Sequence, residues 1–132
     1  MSIVAIDLDG VLAYYNGWKG IDHIGEPTDG ALRLCEQLIE DGHEIIVHTV
    51  RTNPIINNKE LSDVEASNDY HAMWLSNKIY AWLKKHNFPS KITVWDNFGK
   101  PQADLYIDDK AFVVLKNRGF NFQTIQAIKA LL

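Results

Sequence analysis

The sequence of 132 residues predicts a single α/β domain, spanning 1–132, in which helices cover both faces of a parallel sheet to give three layers. Two observations lead to this prediction. Short apolar runs alternate along the chain with longer segments of helical periodicity, which is typical of parallel strands joined by crossover helices. The length is enough for one domain with a substantial core and too short for two.

The first half of the chain contains two predicted strands and one helix. An apolar run beginning at Ile3 indicates a first strand at roughly 2–8, and a loop that contains several glycines follows it. The second strand is HEIIVHT, at 43–49. Between them, segment 27–42 has apolar residues at helical spacing, and the predicted inward face consists of Ala31, Leu34, Cys35, Leu38 and Ile39.

The middle of the chain begins with a long polar segment, 51–67, which we interpret as a loop. Loops of this length in small domains are usually functional or disordered. A second helix is expected at about 69–86. Two further strands are expected at 91–96, KITVWD, and at 103–109, ADLYIDD.

The sequence allows two interpretations for part of the C-terminal region. The apolar run FVVL at 112–115 fits either a short fifth strand or a helical turn. The last segment, 121–132, has the periodicity of an amphipathic helix. Its expected inward residues are Ile125, Ile128, Leu131 and Leu132.

Composition and charge exclude several classes of protein. The formal net charge of −4 argues against indiscriminate binding to nucleic acid, which requires a basic surface. Cys35 is the single cysteine, so the chain has no intramolecular disulfide and suits a reducing cytoplasm. No apolar run approaches the ~18 residues of a membrane span, and the N-terminus lacks the features of a signal peptide.

Polar residues follow three of the predicted strands. Asp7 and Asp9 follow the first strand, Thr49 the second, and Asp108 and Asp109 the fourth. Ligands of open parallel sheets bind beyond the carboxyl ends of the strands, so we expect these residues to meet at one edge. Clustered carboxylates repel one another unless a cation lies among them, and carboxylate oxygens suit Mg²⁺.

A site of this kind favours phosphoryl transfer, which also needs a fixed positive charge near the phosphoryl oxygens. Lys100, in the loop before the fourth strand, is the candidate for that charge. Zinc is not indicated, because the histidines lack ligand spacing and Cys35 has no cysteine partner.

Four motifs therefore occur in order along the chain. They are Asp7-Leu8-Asp9-Gly10-Val11, Thr49 after EIIVH, Lys100 in GKP, and Asp108-Asp109 in YIDD. This ordered set resembles the motifs of the haloacid dehalogenase (HAD) superfamily, from residue 3 to about 110. The resemblance implies a Rossmann-like core. It also implies a phosphatase or phosphotransferase, because dehalogenase members lack the second aspartate of the first motif.

The resemblance implies a role for each of four catalytic residues. Asp7 would be the nucleophile that forms an aspartyl-phosphate, and Asp9 would be the general acid and base. Thr49 would donate a hydrogen bond to a phosphoryl oxygen. Lys100 would offset the negative charge on Asp7 and on the phosphoryl group.

The implied metal site for Mg²⁺ consists of Asp108 together with the Asp7 carboxylate and the Asp9 backbone carbonyl. Asp109 is either a further direct ligand or a residue that supports the ligands. The interval from the first motif to Thr49 and the interval from Thr49 to Lys100 leave no room for a cap domain, so the chain resembles the small capless members. Such members commonly act on large, open substrates or have a neighbouring subunit cover the site, so a homo-oligomer is one expectation.

Residues 12–26, here called the entrance loop, are expected to line the way into the site. Tyr14 and Trp18 in this loop are candidates for substrate binding, although aromatic side chains there can equally serve for packing. Arg51, two residues beyond Thr49, is a candidate to clamp a substrate anion, although a surface arginine is nearly as common.

The function that follows is a Mg²⁺-dependent phosphomonoester hydrolase acting on a phosphorylated small molecule. Two alternatives stay open. One is a phosphotransferase or a phosphatase that processes nucleic-acid ends, and the other is a non-catalytic domain that binds a phosphorylated ligand. Sugar phosphates, nucleotides and phosphorylated ends all remain open as substrates.

Overall fold

The computed structural model describes residues 1–52, 68–97 and 99–132, and the side chains of these residues except for 68–72. Residues 53–67, which make up most of the predicted loop 51–67, therefore lie outside the described residues. In chain order the elements are β1 (Ile3–Ile6), α1 (Ala31–Glu40), β2 (Glu44–Val47), a 3-10 turn (Val50–Thr52), α2 (Asn68–Lys85), β3 (Thr93–Val94), β4 (Leu105–Ile107) and α3 (Phe122–Ala130).

The four strands form one parallel sheet in the order β3-β2-β1-β4. The strand β1 lies inside the sheet, where Ile6 pairs with Val47 of β2 on one side and with Ile107 of β4 on the other. This position explains why β1 is the most continuously apolar strand. The predicted α/β class with a parallel sheet is confirmed, and the described residues contain no cap domain.

The hydrophobic core lies between one face of the sheet and the helices α1 and α2. Side chains alternate along a strand, so Val4 and Ile6 of β1 point to the same face. They belong to one buried cluster with Cys35 of α1 and with Ile79 and Trp82 of α2. Both of these helices therefore pack on the same side of the sheet, and their packing holds the carboxyl ends of β1 and β2 in place.

The C-terminal segment differs from the prediction. No residue of α3 is buried, and Ile125, Leu131 and Leu132 are 45%, 73% and 100% exposed. The expectation that these residues face inward is therefore wrong, and among the described residues no buried helix covers the second face of the sheet. The run 112–115 is exposed and is neither strand nor helix. Apolar periodicity identifies the apolar face of a helix, but it cannot say what covers that face.

The helices of the described residues include none with both the length and the apolar character needed to cross a lipid bilayer.

Candidate functional site

A cavity of about 230 Å³ lies at the carboxyl edge of the sheet, beyond the ends of β1, β2 and β4. The residues around it come from the three strand ends that the sequence predicted to converge and from the entrance loop. They are Asp7, Asp9, Tyr15, Trp18, His48, Thr49, Val50, Arg51, Asp108, Asp109 and Lys110.

The turn after β1 holds Asp7 and Asp9 in place. The Asp7 backbone N–H donates to the Ile107 carbonyl at 2.9 Å, which extends the pairing with β4 by one residue. Gly10 then adopts a φ of +89°, and a Cβ there would lie 2.6 Å from Oδ2 of Asp109. A glycine is therefore needed both for the backbone conformation and for the close approach of Asp109.

Three carboxylates form an acidic cluster. Asp7, Asp108 and Asp109 each offer an oxygen, and these oxygens all lie within 4.8 Å of one another. Burial raises the pKa of Asp7 to about 7; the charge of Asp108 adds to the effect, and the Leu8 N–H, which donates to Asp7, opposes it. Hard carboxylate oxygens at this separation fit a divalent cation such as Mg²⁺, whose charge would relieve the repulsion.

Asp9 forms an ion pair with Arg51 and is not part of the acidic cluster. Nε of Arg51 donates to Asp9 Oδ2 at 2.7 Å, and an Nη of the same guanidinium donates to Oδ1 at 2.9 Å. The two side chains are 5% and 17% exposed, so the ion pair is largely shielded from water. Arg51, expected to clamp a substrate anion, thus binds the residue expected to be the general acid.

Thr49 lies where the sequence predicts a hydroxyl at the cavity. Its side chain is buried, and its Oγ1 accepts a hydrogen bond from the Arg51 backbone N–H at 3.2 Å. His48, immediately before it, also lines the cavity. Burial lowers the pKa of His48, Lys100 lowers it further, and Asp108 opposes both.

Lys100 is not among the residues that line the cavity. Its Nζ lies 4.0 Å from the centroid of the Tyr106 ring, which is a cation–π contact. Its charge lowers the pKa of His48, a residue that lines the cavity. A contact between Lys100 and a phosphoryl group in the cavity would require its side chain to leave the Tyr106 ring.

The entrance loop borders the cavity with Trp18 and Tyr15, whereas Tyr14 is not a lining residue. The Tyr14 carbonyl instead lies against Gly25, where a Cβ would approach it to 2.1 Å. Of the lining residues that sequence reasoning missed, Lys110 adjoins the Asp108-Asp109 motif and could have been found there. Tyr15 belongs to the entrance loop, which the sequence predicted to line the way into the site.

Comparison with known proteins supports the fold alone. No family model matches the chain, and no curated protein matches it. A solved structure described as the conserved protein coded by a locus from Bacteroides thetaiotaomicron is similar, with a TM-score of 0.53 and 17% sequence identity. The match covers 99% of this chain and 92% of that one. At this identity the likeness extends to the arrangement of strands and helices.

Proposed function

We propose that this protein is a Mg²⁺-dependent phosphomonoester hydrolase of the HAD type. The observation that carries the proposal is the acidic cluster of Asp7, Asp108 and Asp109, which lies at the carboxyl edge of a parallel sheet beside the hydroxyl of Thr49. The order of these residues in the chain supports it, because it matches the order of the motifs that the sequence resembles. The small cavity suits a phosphorylated small molecule.

Four residues would carry the reaction in two displacements. An oxygen of Asp7 forms a bond to phosphorus while the bond from phosphorus to the ester oxygen breaks, and Asp9 donates a proton to that departing oxygen. Asp9 then takes a proton from water as the water oxygen attacks phosphorus, and Asp7 leaves as a carboxylate. Thr49 donates to a phosphoryl oxygen, and Lys100, once its side chain has left the Tyr106 ring, supplies positive charge to the phosphoryl group.

The metal would be held by Asp7 and Asp108, with Asp109 beside them and the Asp9 carbonyl as a further donor. Bound Mg²⁺ would supply positive charge that stabilises the ionised form of Asp7 and the charge developing on the phosphoryl oxygens. Asp7 has to be ionised to attack phosphorus, and its pKa of about 7 without a metal leaves much of it protonated near neutral pH.

The test is a panel of sugar phosphates, nucleotides, phosphorylated nucleic-acid ends and aryl phosphates, assayed with Mg²⁺ and with EDTA. We expect turnover of at least one small ester with Mg²⁺ and none in EDTA. Asp7→Asn should abolish turnover and leave binding of a phosphate analogue intact. Equal activity in EDTA would exclude the metal-dependent reaction, and active Asp7→Asn would remove the nucleophile.

A non-catalytic domain that binds a phosphorylated ligand is the second candidate. The observation that favours it is the ion pair in which both oxygens of Asp9 accept hydrogen bonds from Arg51. A domain that only binds needs no proton donor at this position. Binding of a phosphate analogue without turnover of any ester in the panel would decide for this candidate.

A second copy of the chain is the proposed macromolecular partner. Residues 110–132 contain four basic residues and no acidic one, while the rest of the chain contains all 17 acidic residues. The same segment exposes large apolar side chains, among them Phe120 at 62% and Phe122 at 72%. Opposite charge therefore favours packing of this segment against residues 1–109 of another copy. Lys110, the first residue of the segment, lines the cavity, so the contact would lie next to the site.

Sedimentation analysis over a range of protein and salt concentrations tests this proposal. We expect a dimer that Phe122→Asp dissociates, whereas Met73→Asp, which alters an exposed apolar residue of α2, leaves it intact. A monomer at every concentration would refute the proposal.

A further inference from the structure

We infer that Arg51 is a positioning residue that orients Asp9 and couples it to the entrance loop. The inference rests on the proposed hydrolase function, in which Asp9 transfers the proton. In this role Arg51 acts on the general acid, Asp9, and does not bind the substrate. One buried guanidinium makes contacts in several directions.

The contact with Asp9 fixes the plane of its carboxylate. Two hydrogen bonds, of 2.7 and 2.9 Å, join two nitrogens of Arg51 to the two oxygens of Asp9. A forked pair of this kind sets orientation as well as distance, which a single hydrogen bond does not. Each carboxylate oxygen has two lone-pair sites, so each retains one site after accepting from Arg51. A proton for the leaving oxygen can occupy one of these remaining sites.

The same guanidinium also contacts the entrance loop. The Nη that donates to Asp9 also donates to the His23 carbonyl at 2.9 Å. Cζ of Arg51 lies 4.9 Å from the centroid of the Trp18 ring, within range of a cation–π contact. Trp18 itself lines the cavity. A displacement of Arg51 would therefore change the position of Asp9 and of the cavity wall together.

The backbone of Arg51 completes the arrangement. Its N–H donates to Oγ1 of Thr49, and both residues are buried, at 6% and 5% exposure. Thr49 belongs to the segment that leaves β2, so Arg51 starts from a fixed point of the sheet. The side chain then reaches the turn after β1, where Asp9 lies. The guanidinium thus ties two strand ends and the entrance loop into one unit.

General acid catalysis depends on the geometry of the proton donor, because the donor has to lie within hydrogen-bond reach of the leaving oxygen. A lysine at position 51 would keep the positive charge but could not form the forked pair. If Arg51 positions the acid, its loss should affect mainly esters whose leaving oxygen needs a proton. If Arg51 instead clamps the substrate, its loss should affect all phosphate esters alike.

The experiment compares Arg51→Lys with wild type on an alkyl phosphate and on an aryl phosphate that has a stable leaving anion. We expect kcat/KM on the alkyl ester to fall by ~10²–10⁴-fold and kcat/KM on the aryl ester to fall much less, because kcat/KM reports the first displacement, in which the leaving oxygen takes its proton. Asp9→Asn should give the same pattern, and Asp9→Asn combined with Arg51→Lys should be no slower than Asp9→Asn alone. Arg33→Lys, the same exchange at an exposed residue of α1, is the control and should match wild type.

Hydrogen exchange supplies a readout that does not depend on activity. Backbone amides of the entrance loop should exchange faster in Arg51→Lys than in wild type and in Arg33→Lys, while α1 amides stay protected. Guanidinium ion added to Arg51→Ala should restore turnover of the alkyl ester, provided that thermal unfolding shows this variant to be folded.

The possible failures are distinguishable. An active wild type in which Arg51→Lys raises KM equally for both esters, with unchanged kcat, would make Arg51 a substrate clamp and overturn the inference alone. Unchanged exchange in the entrance loop would overturn the coupling. A wild type without turnover of any ester would remove the proposed function, and with it the role of Arg51 toward an acid.

Discussion

Replacement of Asp7 by asparagine should stabilise the metal-free protein at neutral and alkaline pH. Asp7 is partly buried beside Asp108 and Asp109, and its pKa is about 7 in the folded protein against an ordinary value of 3.8. The folded state therefore binds the Asp7 proton more tightly than the unfolded state does. As the pH rises from about 4 to about 7, the unfolded chain loses this proton first, so ionisation of Asp7 opposes folding.

The size of the effect follows from the two pKa values. A difference of one pKa unit corresponds to about 1.4 kcal/mol, so the values of 3.8 and about 7 correspond to roughly 4 kcal/mol of lost stability above pH 7. Asparagine resembles the protonated acid in shape and charge, and its side-chain oxygen can still accept from the Leu8 N–H. Asp7→Asn should therefore exceed wild type in its free energy of unfolding by up to ~4 kcal/mol at pH 8, and by less than ~2 kcal/mol at pH 5.

Urea denaturation in EDTA at the two pH values measures these differences. Glu40→Gln, which neutralises an exposed carboxylate of α1 away from the cavity, is the control and should show no comparable dependence on pH. Added Mg²⁺ should stabilise wild type and narrow the gap to Asp7→Asn. If Asp7→Asn and wild type kept the same difference at pH 5 and pH 8, Asp7 would not carry the raised pKa and the argument would be refuted.

Three further predictions concern single residues. Asp108→Asn should bind Mg²⁺ more weakly in calorimetry while unfolding no earlier than wild type in EDTA; unchanged affinity would remove Asp108 from the metal site. Gly10→Ala should cost at least ~1 kcal/mol more in urea denaturation than Gly30→Ala, because both glycines have positive φ but only a Cβ at Gly10 meets Asp109; equal losses would contradict this. Cys35 is fully buried and its pKa is raised to about 11, so a thiol reagent should label it only as fast as the protein opens; rapid labelling of the native protein would count against the burial.

The sequence alone predicted much of the fold, since local patterns determined those parts. The apolar run before Asp7 predicted β1, and the helical spacing around Cys35 predicted α1. Residues that follow buried parallel strands meet at one edge of a sheet, so the gathering of Asp7, Asp9, Thr49 and Asp108 around the cavity could also be anticipated.

The tertiary structure decided what depends on residues far apart in the chain. Arg51 and Asp9 are 42 positions apart, and only the pairing of β1 with β2 brings the guanidinium to that carboxylate. No spacing in the sequence predicts which partner a buried arginine selects. The same limit applies to Lys100, which the fold places on Tyr106.

The C-terminal helix α3 shows both what local sequence determines and what it leaves to the tertiary structure. The periodicity of 121–132 determined that an amphipathic helix would form, because local backbone preferences and side-chain spacing suffice for that. Whether its apolar face would be buried depended on the surface available to it, and in this chain the face stays exposed. Local sequence thus determined the secondary structure and the candidate site residues, while the pairing of distant segments decided which charges meet and which apolar surfaces are covered.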